Sequence, residues 1–217
     1  MRRRLFMGAG VIAALVVAVA LLFAPARVSQ EAIRTSVMRD AALIERAWQL
    51  PAAATYRREV AWQSNPSLCG PASLANVFRS LGDPASTEGA VLAGTGRCWT
   101  GFCFLGLTLD ELADVARAHP GRKVTVLRDL SPEEFREHLR RSNDPAHRYV
   151  VNFSRASIFG EGVGHHSPIG GYLEAEDLVF VLDVNSRFQP WLVERQRLFS
   201  AMDTRDGGKK RGLLLIQ

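Results

Sequence analysis

Helix-start signals crowd the front of this 217-residue chain and short β-rich runs fill its back, an order that confines it to segregated α+β architectures. Thr108-Leu109-Asp110-Glu111 and Ser131-Pro132-Glu133-Glu134 both have the spacing of a capping box, the second with proline at the first helical position. They predict helices reaching about His119 and Arg141. From Cys69, apolar positions Ala72, Leu74, Ala75, Val77, Phe78 and Leu81 recur at helical spacing until Gly82-Asp83-Pro84 stops the run. Residues 28–60 read as a connecting helix followed by a loop, interrupted at Pro51. Residues 122–127, 149–153, 170–173, 178–184 and 212–216 are short, rich in β-branched and aromatic side chains, and predict a mostly antiparallel sheet.

The first residues form a unit of their own. Arg2, Arg3 and Arg4 precede a 20-residue uncharged apolar run, residues 5–24, which ends in the small-x-small sequence Ala24-Pro25-Ala26. Such a run serves equally as a cleaved export signal or as an uncleaved membrane anchor, since about 20 residues of helix cross a bilayer. We therefore divide the chain into residues 1–27, signal or anchor, and residues 28–217, a catalytic domain. The domain is expected outside the cytoplasm, either periplasmic or held at the inner membrane through residues 5–24. The net charge of +5 falls to +2 without those three arginines (24 basic against 22 acidic residues), and no basic stripe interleaves with aromatics, so nucleic acid is excluded as a partner.

Three cysteines in an oxidising compartment leave one unpaired. Cys98 and Cys103, five apart in the loop RCWTGFCF, can bridge; a two-ligand metal site there is the weaker reading. Cys69 is then left over, where the polar stretch QSNPSL turns into a helix, with Asn65-Pro66-Ser67 to cap it. Thiolate at a helix start is favoured by the positive end of the dipole and the free N–H groups. A nucleophilic thiolate needs a base, and the base an orienting group. GVGHHSPIGGY places His165 and His166 among glycines, and strand alternation lets one of the two point inward. Asp183 ends the apolar run VFVLDVN, and a carboxylate there needs a partner such as an imidazole from a neighbouring strand. Gln63, six residues before Cys69, can turn its amide toward a developing oxyanion.

QSNPSLCGPASLANVF, GVGHHSPIGGYLEAEDLVFVLDV and AMDTRDGGKKRGLLLI together resemble the catalytic domain of the phytochelatin synthase family over roughly residues 45–217. The resemblance implies a papain-like cysteine peptidase fold: a helical lobe carrying the cysteine and a mostly antiparallel β lobe carrying histidine and aspartate. It also implies catalytic Cys69, His165 and Asp183, with Gln63 at the oxyanion. The implied reaction is cleavage of the Cys–Gly bond of glutathione through a γ-glutamylcysteinyl thioester. Water then yields γ-glutamylcysteine, and a second glutathione yields phytochelatin. The block ends at Gln217 without the cysteine-rich region of the plant enzymes, as in shorter bacterial members, where hydrolysis dominates. Spacing around Arg187 departs from the family stretch, and no role is carried over to it.

Glutathione is the implied partner, and a homodimer is compatible with the resemblance. No cofactor is expected for hydrolysis; cadmium or zinc would enter as a thiolate complex of the substrate. Two rival readings remain at this stage: a papain-like peptidase or amidase acting on another exported peptide, and a catalytically silent domain binding thiol peptides or metal–thiolate complexes.

Overall fold

The computed structural model describes residues 27–98 and 101–217; the expected signal or anchor at residues 1–27 lies almost entirely outside them. Its centre is a six-stranded, wholly antiparallel sheet. In spatial order the strands are β1 (Val124–Leu127), β8 (Gly212–Ile216), β2 (Arg148–Ser154), β3 (Gly164–Leu173), β4 (Leu178–Val181) and β5 (Trp191–Glu194). Two further short strands, β6 (Arg205–Asp206) and β7 (Lys209–Lys210), form a hairpin just ahead of β8.

Both sheet faces are covered, as the alternation of side chains demands. Val150, Leu214 and Ile216 face α4 (Cys69–Ser80) and α6 (Leu109–Arg117), burying Leu74, Val77, Phe78, Leu112 and Val115. Tyr149, Val151, Phe153, Leu213 and Leu215 point the other way, against α7 (Pro132–Arg141), α8 (Arg155–Phe159) and α9 (Arg195–Met202). A third cluster packs α2 (Ala41–Trp48) and α3 (Pro51–Ala54) on Phe180 and Leu192. The α+β expectation holds, with helix layers on both sides of the sheet.

Both capping boxes form, with Thr108 and Ser131 each accepting from the backbone N–H three residues on. The helix from Cys69 runs to Ser80, one residue short of expectation. The connecting helix does not run through. It breaks between α1 (Gln30–Ser36) and α2, because Met38 exchanges both backbone hydrogen bonds with Leu192 of β5. The strand expected at 178–184 stops at Val181, while the strand expected at 170–173 begins earlier, at Gly164, so that β3 includes both histidines. β5 and α9 were not expected from the sequence: Pro190 and the polar residues around it hide a four-residue strand that the sheet edge supplies with a partner. His119, His138 and His147 each hydrogen-bond within the fold, to the Val91 carbonyl, the Tyr149 hydroxyl and the Asp144 carboxylate respectively.

Phe78 is fully buried where α4 meets the sheet. Phe78→Ala is expected to lower unfolding free energy by about 3–5 kcal/mol, read as a reduced denaturant midpoint at unchanged m-value.

Candidate active site

Cys69 is the first residue of α4 and the free cysteine among the described residues; Cys98 and Cys103 are joined in a disulfide, as their spacing allowed. No side chain caps α4. Asn65, expected to help cap it, instead accepts from the backbone and hydroxyl of Ser67 through its own Oδ1. The backbone N–H groups of the first turn therefore stay available beside the thiol. Ser73, one turn on, lies within hydrogen-bond reach of both the Cys69 carbonyl (2.7 Å) and the His166 carbonyl (3.0 Å), which ties the helix to β3.

The two histidines leave β3 on opposite sides. His165 pairs across the sheet with Phe153 and stacks edge-on against its ring, while His166 pairs with Asn152 on the side of α4. Both are buried. His166 Nδ1 lies 3.8 Å from Cys69 Sγ. His165 directs Nε2 to Asp183 Oδ1 at 3.0 Å, which leaves Nδ1 for the reacting atoms. Burial alone would push the Cys69 thiol up. The charge and hydrogen bonding of His165, then those of His166, outweigh it and hold the thiol well below its ordinary value. His166 makes the direct contact, yet His165 has the larger effect because it is the imidazole that Asp183 keeps charged. For His165, burial and the Arg155 charge act downward, but Asp183 and the Cys69 thiolate carry its pKa above the usual histidine value.

Asp183 lies just beyond β4 and has no exposed surface. Burial would raise its pKa, but Arg155 and His165 pull it far below the usual carboxylate range. Its oxygens accept from His165, from Arg155 Nη2 (2.9 Å to each oxygen), from Trp191 Nε1 (3.2 Å) and from the Asn185 backbone N–H (2.9 Å). Arg155 is itself buried, its guanidinium 3.5 Å from the Phe188 ring centroid. Sequence reasoning missed Arg155 and Trp191. A lone arginine at the end of β2 carries no motif, and only the aspartate's need for partners hints at it.

Gln63 is placed by its backbone, which donates to the Val184 carbonyl at 2.8 Å, one residue past Asp183. Asn76 on α4 clamps the preceding segment through paired bonds to Ala61, each 2.8 Å. The Gln63 amide donates one N–H to the Asn65 carbonyl (2.9 Å), leaving its second N–H free to turn.

Cys69 and His166 open into a cleft of about 630 Å³, lined also by Ser67, Leu107, Val163, Gly164, Asp206 and Arg211. Arg211 Nη1 lies 2.8 Å from Asn152 Oδ1 and 3.2 Å from Asp206 Oδ2. A Cβ at Gly164 would collide with that guanidinium, so glycine here leaves room for the arginine where it lies. The Arg211 Nε is buried with no partner. Among the described residues no group of three or more His, Cys, Asp or Glu side chains is arranged to hold a metal ion.

Residues 23–213 match the sequence model of phytochelatin synthase. The chain belongs to the phytochelatin synthase family. Glutathione γ-glutamylcysteinyltransferase 1 of Arabidopsis thaliana is 31% identical over 178 residues, covering 71% of this chain and 34% of that protein. Glutathione γ-glutamylcysteinyltransferase 3 of Lotus japonicus is 30% identical over 179 residues, covering 71% and 35%. The enzyme of that name from Schizosaccharomyces pombe is 25% identical over 177 residues, covering 74% and 42%. The chain thus spans about a third of the length of these plant relatives. Among solved structures, the peptidase domain of Streptococcus ComA aligns with TM-score 0.50 at 15% identity, over 73% of this chain and 96% of that one. A C39-like peptidase from Bacillus anthracis aligns with TM-score 0.55 at 13% identity, over 75% and 95%. They place this family member in the papain-like cysteine peptidase fold expected from the sequence.

Two measurements follow from this geometry. Arg155→Leu strips Asp183 of its charged partner and is expected to cost about 3–5 kcal/mol of unfolding free energy, measured by denaturant titration. The rate of Cys69 alkylation by iodoacetamide is expected to stay on a plateau through neutral pH and to fall only well below the value of about 8.5 typical of a free thiol. His165→Ala should move that inflection upward further than His166→Ala; a wild-type inflection near 8.5 would exclude the thiolate–imidazolium pair.

Proposed function

We propose that this protein cleaves the Cys–Gly bond of glutathione, with Cys69 as nucleophile, His165 as acid and base, and Asp183 as the group orienting His165. The observation that carries the reading is the line from Asp183 through His165 to an activated Cys69 at the start of a helix, facing a cleft lined by Arg211 and Asp206. A cleft of this volume accommodates a tripeptide. Glutathione carries a zwitterionic amino-acid group at its γ-glutamyl end, and Arg211 beside Asp206 complements it: guanidinium to α-carboxylate, carboxylate to α-ammonium.

In the reaction the Cys69 thiolate attacks the peptide carbonyl carbon. The C=O electron pair moves to oxygen, where the N–H groups at the start of α4 and the second amide N–H of Gln63 stabilise the oxyanion. The protonated Nδ1 of His165 then gives its proton to the glycine nitrogen, the C–N bond breaks, glycine departs and a γ-glutamylcysteinyl thioester remains. Now neutral, His165 takes a proton from water attacking the thioester, which frees γ-glutamylcysteine and restores the thiolate–imidazolium pair. The α-amine of a second glutathione attacking in place of water gives phytochelatin. Asp183 keeps the productive imidazole tautomer and stabilises the cation. A thiophilic metal such as cadmium or zinc enters this scheme as a thiolate complex of the substrate. The Arg2–Arg4 start and the apolar run at residues 5–24 support delivery of the domain to the periplasm or its tethering at the inner membrane.

The test incubates the protein with reduced glutathione and reads products by mass. Wild type is expected to release glycine and γ-glutamylcysteine, with longer peptides marking transfer, and Cys69→Ala to release neither. Arg211→Met should raise KM about tenfold or more with a smaller change in kcat, the pattern of a lost substrate-binding contact. Untouched glutathione with folded wild-type protein would refute the reading.

A further inference from the structure

The most exposed large apolar side chains among the described residues sit together at the mouth of the cleft. Leu105 is 92% exposed, Phe104 84%, Val163 57% and Phe102 55%. Phe102, Leu105 and Val163 also line the cleft that contains Cys69. The cluster is far from the single scattered apolar residue that any surface shows.

The loop that carries three of them cannot fold its tips inward. The Cys98–Cys103 disulfide closes it, and buried Cys103 donates its backbone N–H to Ser67 Oγ at 3.1 Å. Asn65 Nδ2 donates to the Gly101 carbonyl at 3.1 Å, and the Gly106 N–H returns to the Cys103 carbonyl at 3.0 Å. Leu105 is held at φ 61°, a conformation unfavourable for a branched side chain, and it projects into open space. A bulky apolar residue in a strained backbone at full exposure needs an apolar surface to meet.

The start of the described chain says which surface. Val28 is buried behind Gly162, the neighbour of cleft-lining Val163: its carbonyl accepts from Arg187 Nη2 at 2.9 Å, and its Cγ2 lies 3.0 Å from where a Gly162 Cβ would stand. Ala24, the last residue of the apolar run, precedes Val28 by four residues, a reach of at most about 14 Å. A bilayer holding residues 5–24 therefore comes within reach of the rim formed by Val163, Phe102, Phe104 and Leu105.

We propose that this rim docks on the phospholipid bilayer in which residues 5–24 are anchored, so that Phe104 and Leu105 enter the headgroup–acyl boundary and the cleft opens along the membrane surface. Aromatic and aliphatic side chains beside a disulfide suit that boundary, and the tether supplies the effective concentration that a few side chains could not achieve alone. The inference is independent of glutathione chemistry, and its test reads no activity.

The full chain is reconstituted into phosphatidylcholine–phosphatidylglycerol vesicles. In a Cys69→Ala background, Leu105→Cys is labelled with bimane under non-reducing conditions. Glu174→Cys serves as the control, since it follows Leu173 at the far end of β3 from Gly164. Lipids carrying a shallow doxyl group are expected to quench the label at position 105 severalfold and the label at 174 little. In parallel, unlabelled wild type is irradiated with a photoactivatable phosphatidylcholine, with adducts expected on the peptide containing Phe102, Phe104 and Leu105. Equal quenching at the two positions, adducts confined to residues 1–26, self-association through the rim without quenching, or release of the chain from the vesicles would each overturn the proposal.

Discussion

A fully buried carboxylate governs the geometry of this site. Asp183 can stay ionised away from water only because four donors converge on it: two charged side chains, an indole N–H and a backbone N–H. Those donors come from four places in the chain, the end of β2, the start of β3, the start of β5 and the turn after β4, so satisfying the aspartate registers four segments at once. Because its folded pKa is depressed, the unfolded chain binds the proton more tightly. The stability contributed by Asp183 is complete above its unfolded value of about 3.9 and is lost as pH falls toward the depressed folded one.

The same charge reaches the nucleophile in two steps. Asp183 holds His165 protonated, and protonated His165 holds Cys69 as thiolate against the cost of burial. Arg155 opposes the first of these steps, since its charge disfavours the imidazolium while favouring the carboxylate. The arginine is thus a compromise: it keeps Asp183 ionised and fixed in place at some expense to the basicity of His165. His166 adds a second imidazole against the thiol from the cleft side.

Strand order explains why the cleft has charged residues in its lining. β8 inserts between β1 and β2, which carries Arg211, the residue just before β8, alongside Asn152 and across to Gly164. The short β6–β7 hairpin returns Asp206 to the same place. Chain-distant residues meet there because an antiparallel sheet pairs neighbours in space regardless of their separation in sequence.

Much of this was legible in the residues. The two capping boxes, the apolar spacing after Cys69 and the glycine-flanked histidines are local signals, and local signals fix local structure: the helices begin where their caps stand. The odd cysteine count separated Cys69 from Cys98 and Cys103, and the aspartate in an apolar run announced its need for a partner. Sequence could not say which partners would meet that need, because Arg155 and Trp191 carry no pattern of their own and act only once β2, β3 and β5 are side by side. Nor could it show β5, which exists because β4 and Met38 offer it hydrogen bonds, or that His166 would contact the thiol directly. The sequence by itself determined the α+β class and the identities of the reactive groups; the tertiary structure alone decided their distances, partners and charge states, since burial and Coulomb interaction depend on neighbours in space.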